Sequence, residues 1–136
     1  MFKKPAEDKL LLLSFTSGPH QLLTIDKERV RQVLVNIIGN AIKYTPKGEV
    51  RVTANKEAGR YIIRVSDTGM GISAEDQQKI FKKFYRVKNE ETAKIQGTGL
   101  GLWITREIVQ GLGGVISIES IKGKGTDMIV SFPLPE

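Results

Sequence analysis

The segment VRQVLVNIIGNAIKY, residues 30–44, carries two chemically different stripes at one helical period. At about 100° per residue, Val30, Val33, Leu34, Ile37, Ile38, Ala41 and Ile42 fill one apolar arc. Arg29, Gln32, Asn36, Asn40 and Lys43 fall within a separate arc of roughly 80°. The spacing predicts an amphipathic helix, with Asp26 offered as its N-cap and Thr45-Pro46-Lys47-Gly48 as its stop. Two mid-helix asparagines one turn apart oppose helix propensity, and a merely solvated face normally uses Lys, Glu and Gln. The polar stripe therefore reads as a row of amide oxygens and cations facing something polar. An amide oxygen is a hard ligand compatible with Mg²⁺, and Lys43 at the helix end suits a phosphate.

Before the helix, residues 9–16 are apolar and end at Ser17-Gly18-Pro19, after which residues 20–25 read as a second strand, making a hairpin. Past the helix, residues 49–55 alternate through Val50 and Val52, Ala58-Gly59 turns the chain, and residues 61–66 place Ile63 and Val65 on one face. Ser73, with Asp76 three residues on, caps a short second helix with Ile80, Phe81 and Phe84 as its apolar edge. Residues 87–96 show no period and are rich in charge, which predicts a mobile loop. Helical spacing returns over residues 98–112 and stops at Gly113-Gly114. Residues 115–121 and 128–134 read as strands around the tip Lys122-Gly123-Lys124-Gly125. The sum is an α/β fold, a mixed sheet with helices on one face.

The 136 residues suffice for one core and leave no room for a second domain, so residues 1–136 are expected to form a single domain. With no cysteine, a disulfide scaffold, Cys-ligated zinc and a catalytic thiol are excluded. The single histidine, His20, excludes a multi-histidine metal site; it sits in the first hairpin beside Pro19 with no acidic neighbour and is not expected to be catalytic. No apolar run is long enough to span a bilayer or to serve as a signal peptide, and a cytoplasmic location is expected for the chain. The net charge of +6 raises the question of nucleic acid, but the cations are interleaved with acids and the aromatics form no stacking platform. No nucleic-acid partner is expected. Nucleotide phosphates suit scattered cations as well.

Two glycine segments add chemistry. Asp67-Thr68-Gly69-Met70-Gly71 follows a strand, where a carboxylate can accept from an exocyclic amine and the glycines let backbone approach a flat ligand. Gly97-Thr98-Gly99-Leu100-Gly101-Leu102 opens the last helix, so backbone N–H groups and the helix dipole can converge on an anion. A Rossmann reading fails because a polar segment rather than a strand precedes these glycines and Leu102 stands where a small residue belongs. A P-loop fails too, with Ile118 where its first glycine should be.

Taken together, Asn36…Asn40, Asp67-x-Gly-x-Gly, Phe81-Lys82-Lys83-Phe84-Tyr85-Arg86, Gly97-x-Gly-x-Gly and Gly123-x-Gly-Thr126 occur in an order and spacing that resembles the catalytic, ATP-binding domain of sensor histidine kinases. The resemblance runs from about residue 10 to residue 135 and is specific jointly, although each box alone is not. It implies the Bergerat-type fold, a two-layer sandwich in which a mixed, mostly antiparallel sheet is backed by three helices, with ATP beneath a flexible lid at about residues 86–98. By the same resemblance Asn36 is the Mg²⁺ ligand, Asn40 and Lys43 are phosphate-side contacts, and Tyr44 is a wall of the adenine pocket. Asp67 accepts from the adenine amine, Gly69, Gly71 and Ile72 adjoin the base, and Thr126 lies near it. Gly97, Thr98, Gly99, Leu100 and Gly101 form the lid hinge and helix start. Arg86 is the lid cation that reaches the terminal phosphate.

The family's phospho-accepting histidine lies on an upstream dimerising hairpin, so the resemblance makes this chain a catalytic fragment or free-standing module, expected to be monomeric alone. Its implied partners are ATP or ADP, the histidine-containing dimerisation domain of its own kinase and, indirectly, a response regulator. Two other readings remain open: an ATPase like the gyrase, mismatch-repair and heat-shock chaperone relatives, and a non-catalytic nucleotide-dependent regulator. The hydrolysing relatives place a glutamate one turn before the magnesium asparagine, whereas this chain has Gln32. A neutral amide can orient a nucleophile but cannot take its proton, which favours transfer to an imidazole over water attack.

Overall fold

The computed structural model describes residues 12–16, 26–85 and 101–134. Its elements, in chain order, are β1 (Leu12–Thr16), α1 (Lys27–Lys43), β2 (Glu49–Glu57), β3 (Arg60–Asp67), α2 (Ala74–Gln77), α3 (Gly101–Gly111), β4 (Val115–Ile121) and β5 (Gly125–Pro133).

Helix α1 begins where its cap dictates. The Asp26 carboxylate accepts from the backbone N–H groups of Glu28 and Arg29 at 3.0 and 3.3 Å, satisfying donors that the helix itself cannot. The helix therefore starts three residues before the apolar period, because its first turn is polar and carries no periodic signal. At the other end the Tyr44 N–H donates to the Asn40 carbonyl at 2.9 Å. The fully buried Thr45 turns its hydroxyl back onto the Ala41 carbonyl at 2.6 Å, and Pro46 prevents continuation. The predicted apolar arc is the one that is buried, with Val33 at 0% and Ile37 at 1% exposure.

The sheet runs β1-β2-β3-β5-β4. All neighbours are antiparallel except β1 and β2, which are parallel. The partner shown for β1 is β2, reached across α1; residues 20–25, the expected hairpin partner of β1, lie outside the described residues. Alternation reports which face a side chain takes but not which strand lies beside it. Strand β5 starts at Gly125 rather than residue 128, because its first residues pair with the carboxyl end of β3.

Cross-strand rows make the helix-facing side of the sheet. Val52, Val65, Met128 and Ile118 form one row, and Ala54, Ile63, Val130 and Ile116 the next. Val50, Val65, Val130 and Phe132 join Val33, Ile37, Ile38 and Ile42 of α1 and Val109 of α3 in a single core. On the opposite face Arg64 donates to Asp127 at 2.7 Å and to Glu119 at 3.3 Å, so that face is held by charge. The two-layer α/β expectation is met. Short α2 is capped by Ser73, whose hydroxyl accepts from the Asp76 N–H at 3.2 Å, but the expected apolar edge beside it is only partly inward. Ile80 is buried and Phe81 packs on the core, whereas Phe84 is 65% exposed in a left-handed backbone conformation. The chain after α2 turns rather than continuing as helix, which takes Phe84 off the inner face.

Candidate functional site

One row of the sheet departs from the apolar rule. At the carboxyl end of β3 the register aligns Val50, Asp67, Thr126 and Ser120, so polar side chains occupy the last row on the core side. Asp67 is consequently drawn partly out of water at the mouth of the sheet–helix interface. Its Oδ1 accepts from the backbone N–H of Gly69 at 2.9 Å and of Thr126 at 3.2 Å. Burial pushes the Asp67 carboxyl up to about 6, against the opposing pull of those two N–H groups and of the Thr45 side chain. Oδ1 is taken by two backbone donors, and the Thr45 side chain also borders the carboxylate.

The loop after Asp67 is pressed against two other elements. A Cβ on Gly69 would lie 2.4 Å from the Tyr44 carbonyl and 2.9 Å from the Asp67 carboxylate. Gly71, at φ +68°, faces the Ile121 carbonyl, 2.1 Å from where a Cβ would stand. These glycines are thus required by protein packing, in addition to whatever approach they offer a flat ligand. The Met70 N–H donates to the Tyr44 carbonyl at 3.3 Å, and the Met70 carbonyl accepts from the Gly123 N–H at 2.7 Å, so the end of α1 and the β4–β5 tip both grip the loop.

Two residues with no sequence signal complete that grip. The Ser120 hydroxyl accepts from the Ile72 N–H at 2.8 Å, donates to the Gly125 carbonyl at 2.9 Å and lies 2.7 Å from the Thr126 hydroxyl. Gln77 donates through Nε2 to the carbonyls of Ile72 at 2.7 Å and Ser120 at 2.9 Å. Nothing in their spacing marks them, since both act by closing contacts between distant strands and loops.

The polar stripe of α1 runs along the helix that ends at this loop. Asn36 and Asn40 are half-buried, while Gln32 and Lys43 are exposed. Asn36 Nδ2 donates to the Thr105 hydroxyl of α3 at 3.2 Å, and that hydroxyl donates to the Gly101 carbonyl at 2.8 Å. Tyr44, half-buried, forms the end of α1. Arg29 stands apart from the rest of the stripe: with Asp26, Trp103, Glu107 and Ile108 it lines a groove at the opposite end of α1. Gly101 opens the described part of α3. His20, Arg86, Gly97, Thr98, Gly99, Leu100 and the expected lid lie outside the described residues. Among the described residues no three His, Cys, Asp or Glu side chains gather to hold a metal, and no helix is long and apolar enough to cross a membrane.

The arrangement offers a half-buried carboxylate at the end of β3 and, along α1, a stripe of amides and cations. The profile of the histidine kinase-, DNA gyrase B- and HSP90-like ATPases matches residues 25–136. The chain belongs to that family. Sensor protein SrrB of Staphylococcus aureus (strain MRSA252) is 39% identical to this ATPase-family domain over 136 residues, covering 99% of the chain and 23% of that protein. The chain thus spans about a quarter of the length of the curated relative. Full-length ShkA in complex with AMPPNP superposes with a TM-score of 0.81 at 30% identity, covering 98% of this chain and 27% of that one. The catalytic domain of histidine kinase ThkA, in a nucleotide-free form, superposes with a TM-score of 0.81 at 29% identity, covering 98% of this chain and 85% of that one. The fold expected from the resemblance is therefore the fold of this family, and the domain is an ATP-binding module of the histidine kinase type.

Proposed function

We propose that this domain binds ATP with Mg²⁺ and transfers the γ-phosphoryl group to a histidine on a separate dimerisation domain of its own sensor kinase. The observation that carries this reading is Asp67, a half-buried carboxylate held on the last row of the sheet by backbone donors at Oδ1, which we read as the acceptor for the adenine amine. Thr126 adjoins it, Gly69, Gly71 and Ile72 form the adjacent loop, and Tyr44 closes the end of α1 against that loop. Asn40, Lys43 and the glycine segment of residues 97–101 take the phosphates, Arg86 takes the terminal one, and residues 86–98 act as the lid of a single domain.

The α1 amides also suit the metal. Mg²⁺ carried by a nucleotide keeps waters and phosphate oxygens and takes only one or two protein ligands. Asn36 Nδ2 is already occupied by Thr105, so Oδ1, a hard oxygen, is the atom available to it. When bound, the ion neutralises charge across the phosphates. The protein's own contribution is positioning and electrostatics. An imidazole nitrogen of the acceptor attacks the γ-phosphorus in line and forms a P–N bond as the bond to the β,γ-bridging oxygen breaks. ADP leaves with that electron pair, with Lys43 and Arg86 offsetting the charge.

The test compares ATP turnover by the isolated chain with phosphotransfer to a supplied histidine-containing domain from the same kinase. Slow turnover with an acid-labile phosphoprotein is expected. Turnover near the ordinary enzyme range of about 1 per second or more without acceptor would establish the hydrolase instead, and binding with neither activity the regulator.

A further inference from the structure

The hydrogen-bond chain from α1 to α3 has a direction. The Thr105 hydroxyl has one proton, and it is directed at the Gly101 carbonyl four residues earlier at 2.8 Å. Toward Asn36 the hydroxyl can therefore only accept, so the amide presents Nδ2 to it, at 3.2 Å, rather than Oδ1. An asparagine amide is nearly symmetrical in shape and has no preference of its own between its two planar orientations. A fully buried hydroxyl of settled polarity supplies that preference. We infer that Thr105 is a positioning residue for the metal end of the site: by accepting from Asn36 Nδ2 while donating to Gly101, it holds the Asn36 carbonyl oxygen toward the nucleotide-borne cation.

This rests on the reading of Asn36 as the Mg²⁺ ligand. It also joins that ligand to Gly101, the first described residue of α3, so the amide and that end of the described helix are tied by one hydroxyl. Valine in place of Thr105 keeps the shape and removes the hydroxyl. The Asn36 amide could then adopt either orientation, and its nitrogen would compete with its oxygen for the side facing the cation.

The experiment measures affinity for a non-hydrolysable ATP analogue with Mg²⁺ and with chelator, in wild type, Thr105→Val, Thr105→Ser and Asn36→Ala. The readout is the ratio of the two affinities, which needs no turnover. In Thr105→Val the metal-free affinity should stay within about twofold while the Mg²⁺-dependent gain falls about fivefold to tenfold, the size of one lost hydrogen bond. Thr105→Ser, which retains the hydroxyl, should restore the gain. The Asn36 side-chain amide signals, assigned by their loss in Asn36→Ala, should shift in Thr105→Val and return toward wild type in Thr105→Ser. A gain abolished by Asn36→Ala but intact in Thr105→Val overturns the positioning role and leaves the metal reading standing. A gain indifferent to Asn36→Ala overturns the metal reading, and the role of Thr105 with it. Equal loss in Thr105→Val and Thr105→Ser also overturns the inference, since the cause would then be packing.

Discussion

Asp67 Oδ1 accepts the backbone N–H of Thr126 at 3.2 Å across the β3–β5 pair, so the carboxylate at the mouth of the site is also part of the sheet's own bonding. Its second donor, Gly69, is two residues along the same loop. A group so placed answers to two demands, the stability of the loop and the capture of a ligand, and they pull in different directions with pH.

Burial raises the Asp67 pKa from 3.8 to about 6 in the folded protein. The folded state thus binds the proton more tightly than the unfolded chain does. The resulting stabilisation is fully present below pH 3.8 and is lost as pH rises through about 6. In the proposed site ligand capture has the opposite sign, because an adenine amine would be held by the ionised acceptor. ADP affinity is expected to rise between pH 5 and 7.5 while this group's contribution to stability falls. Calorimetry at several pH values checks the first trend and urea unfolding the second.

Replacing Asp67 by Asn separates the two demands. The amide oxygen can still accept from Gly69 and Thr126, but the amide nitrogen then faces the adenine amine donor to donor. ADP affinity should drop by about 1–3 kcal/mol, the scale of a lost charge-assisted hydrogen bond, and the pH dependence of both binding and stability across pH 4–7 should flatten. Unchanged ADP affinity would remove Asp67 from the pocket.

The glycines of the β4–β5 tip are not equivalent. Gly123 has φ +86° with open space around its Cβ direction, so Gly123→Ala should cost only the left-handed backbone penalty, about 1–2 kcal/mol. At Gly125 the Cβ would stand 2.0 Å from the Asp67 carbonyl, and φ is +139°. Gly125→Ala must displace the Asp67 strand end. It should therefore destabilise by more than Gly123→Ala in chemical denaturation and, unlike Gly123→Ala, weaken nucleotide binding.

Ser120 and Gln77 converge on Ile72, one on its N–H and the other on its carbonyl. Ser120→Ala leaves the Ile72 N–H without its partner and should cost about 1–3 kcal/mol. Because both residues grip the same loop, the double variant with Gln77→Ala should lose less or more than the sum of the single losses by at least about 0.5 kcal/mol. Strict additivity in a double-mutant cycle would show that the two grips act separately.

What the sequence made legible follows from what periodicity can report. The two stripes of α1 and its Asp26 cap could be read because a helix repeats every few residues and a cap is a local hydrogen bond. The faces of Val50, Val52, Ile63 and Val65 could be read for the same reason. The partner of β1 could not, since the parallel pairing depends on where the chain returns after α1. Nor could Ser120, Gln77 and Thr105, whose roles exist only once residues 43 to 69 positions apart are brought together. Asp67 was legible as a carboxylate at a strand end, but the row it shares with Thr126 and Ser120 needed the register.

Under the proposed function, Gln32 bears on the choice between transfer and hydrolysis. It lies on the exposed side of α1, one turn before Asn36, and it is neutral at every pH of interest. Water attacking the γ-phosphorus must lose a proton as the bond forms, whereas an acceptor imidazole arrives with a lone pair already available. A carboxylate one turn before Asn36 would supply that missing base, and a positioned general base contributes about 10²–10⁴-fold. Gln32→Glu should therefore raise ATP hydrolysis by the isolated chain at least about tenfold while leaving ADP affinity near the wild-type value, because the proposed adenine contact Asp67 lies at the other end of α1 from position 32. Phosphotransfer to the supplied histidine domain should not rise in parallel, and should fall as water competes for the same phosphoryl group. If hydrolysis is unchanged in Gln32→Glu, position 32 does not face the terminal phosphate, and the proposed reason for slow turnover fails.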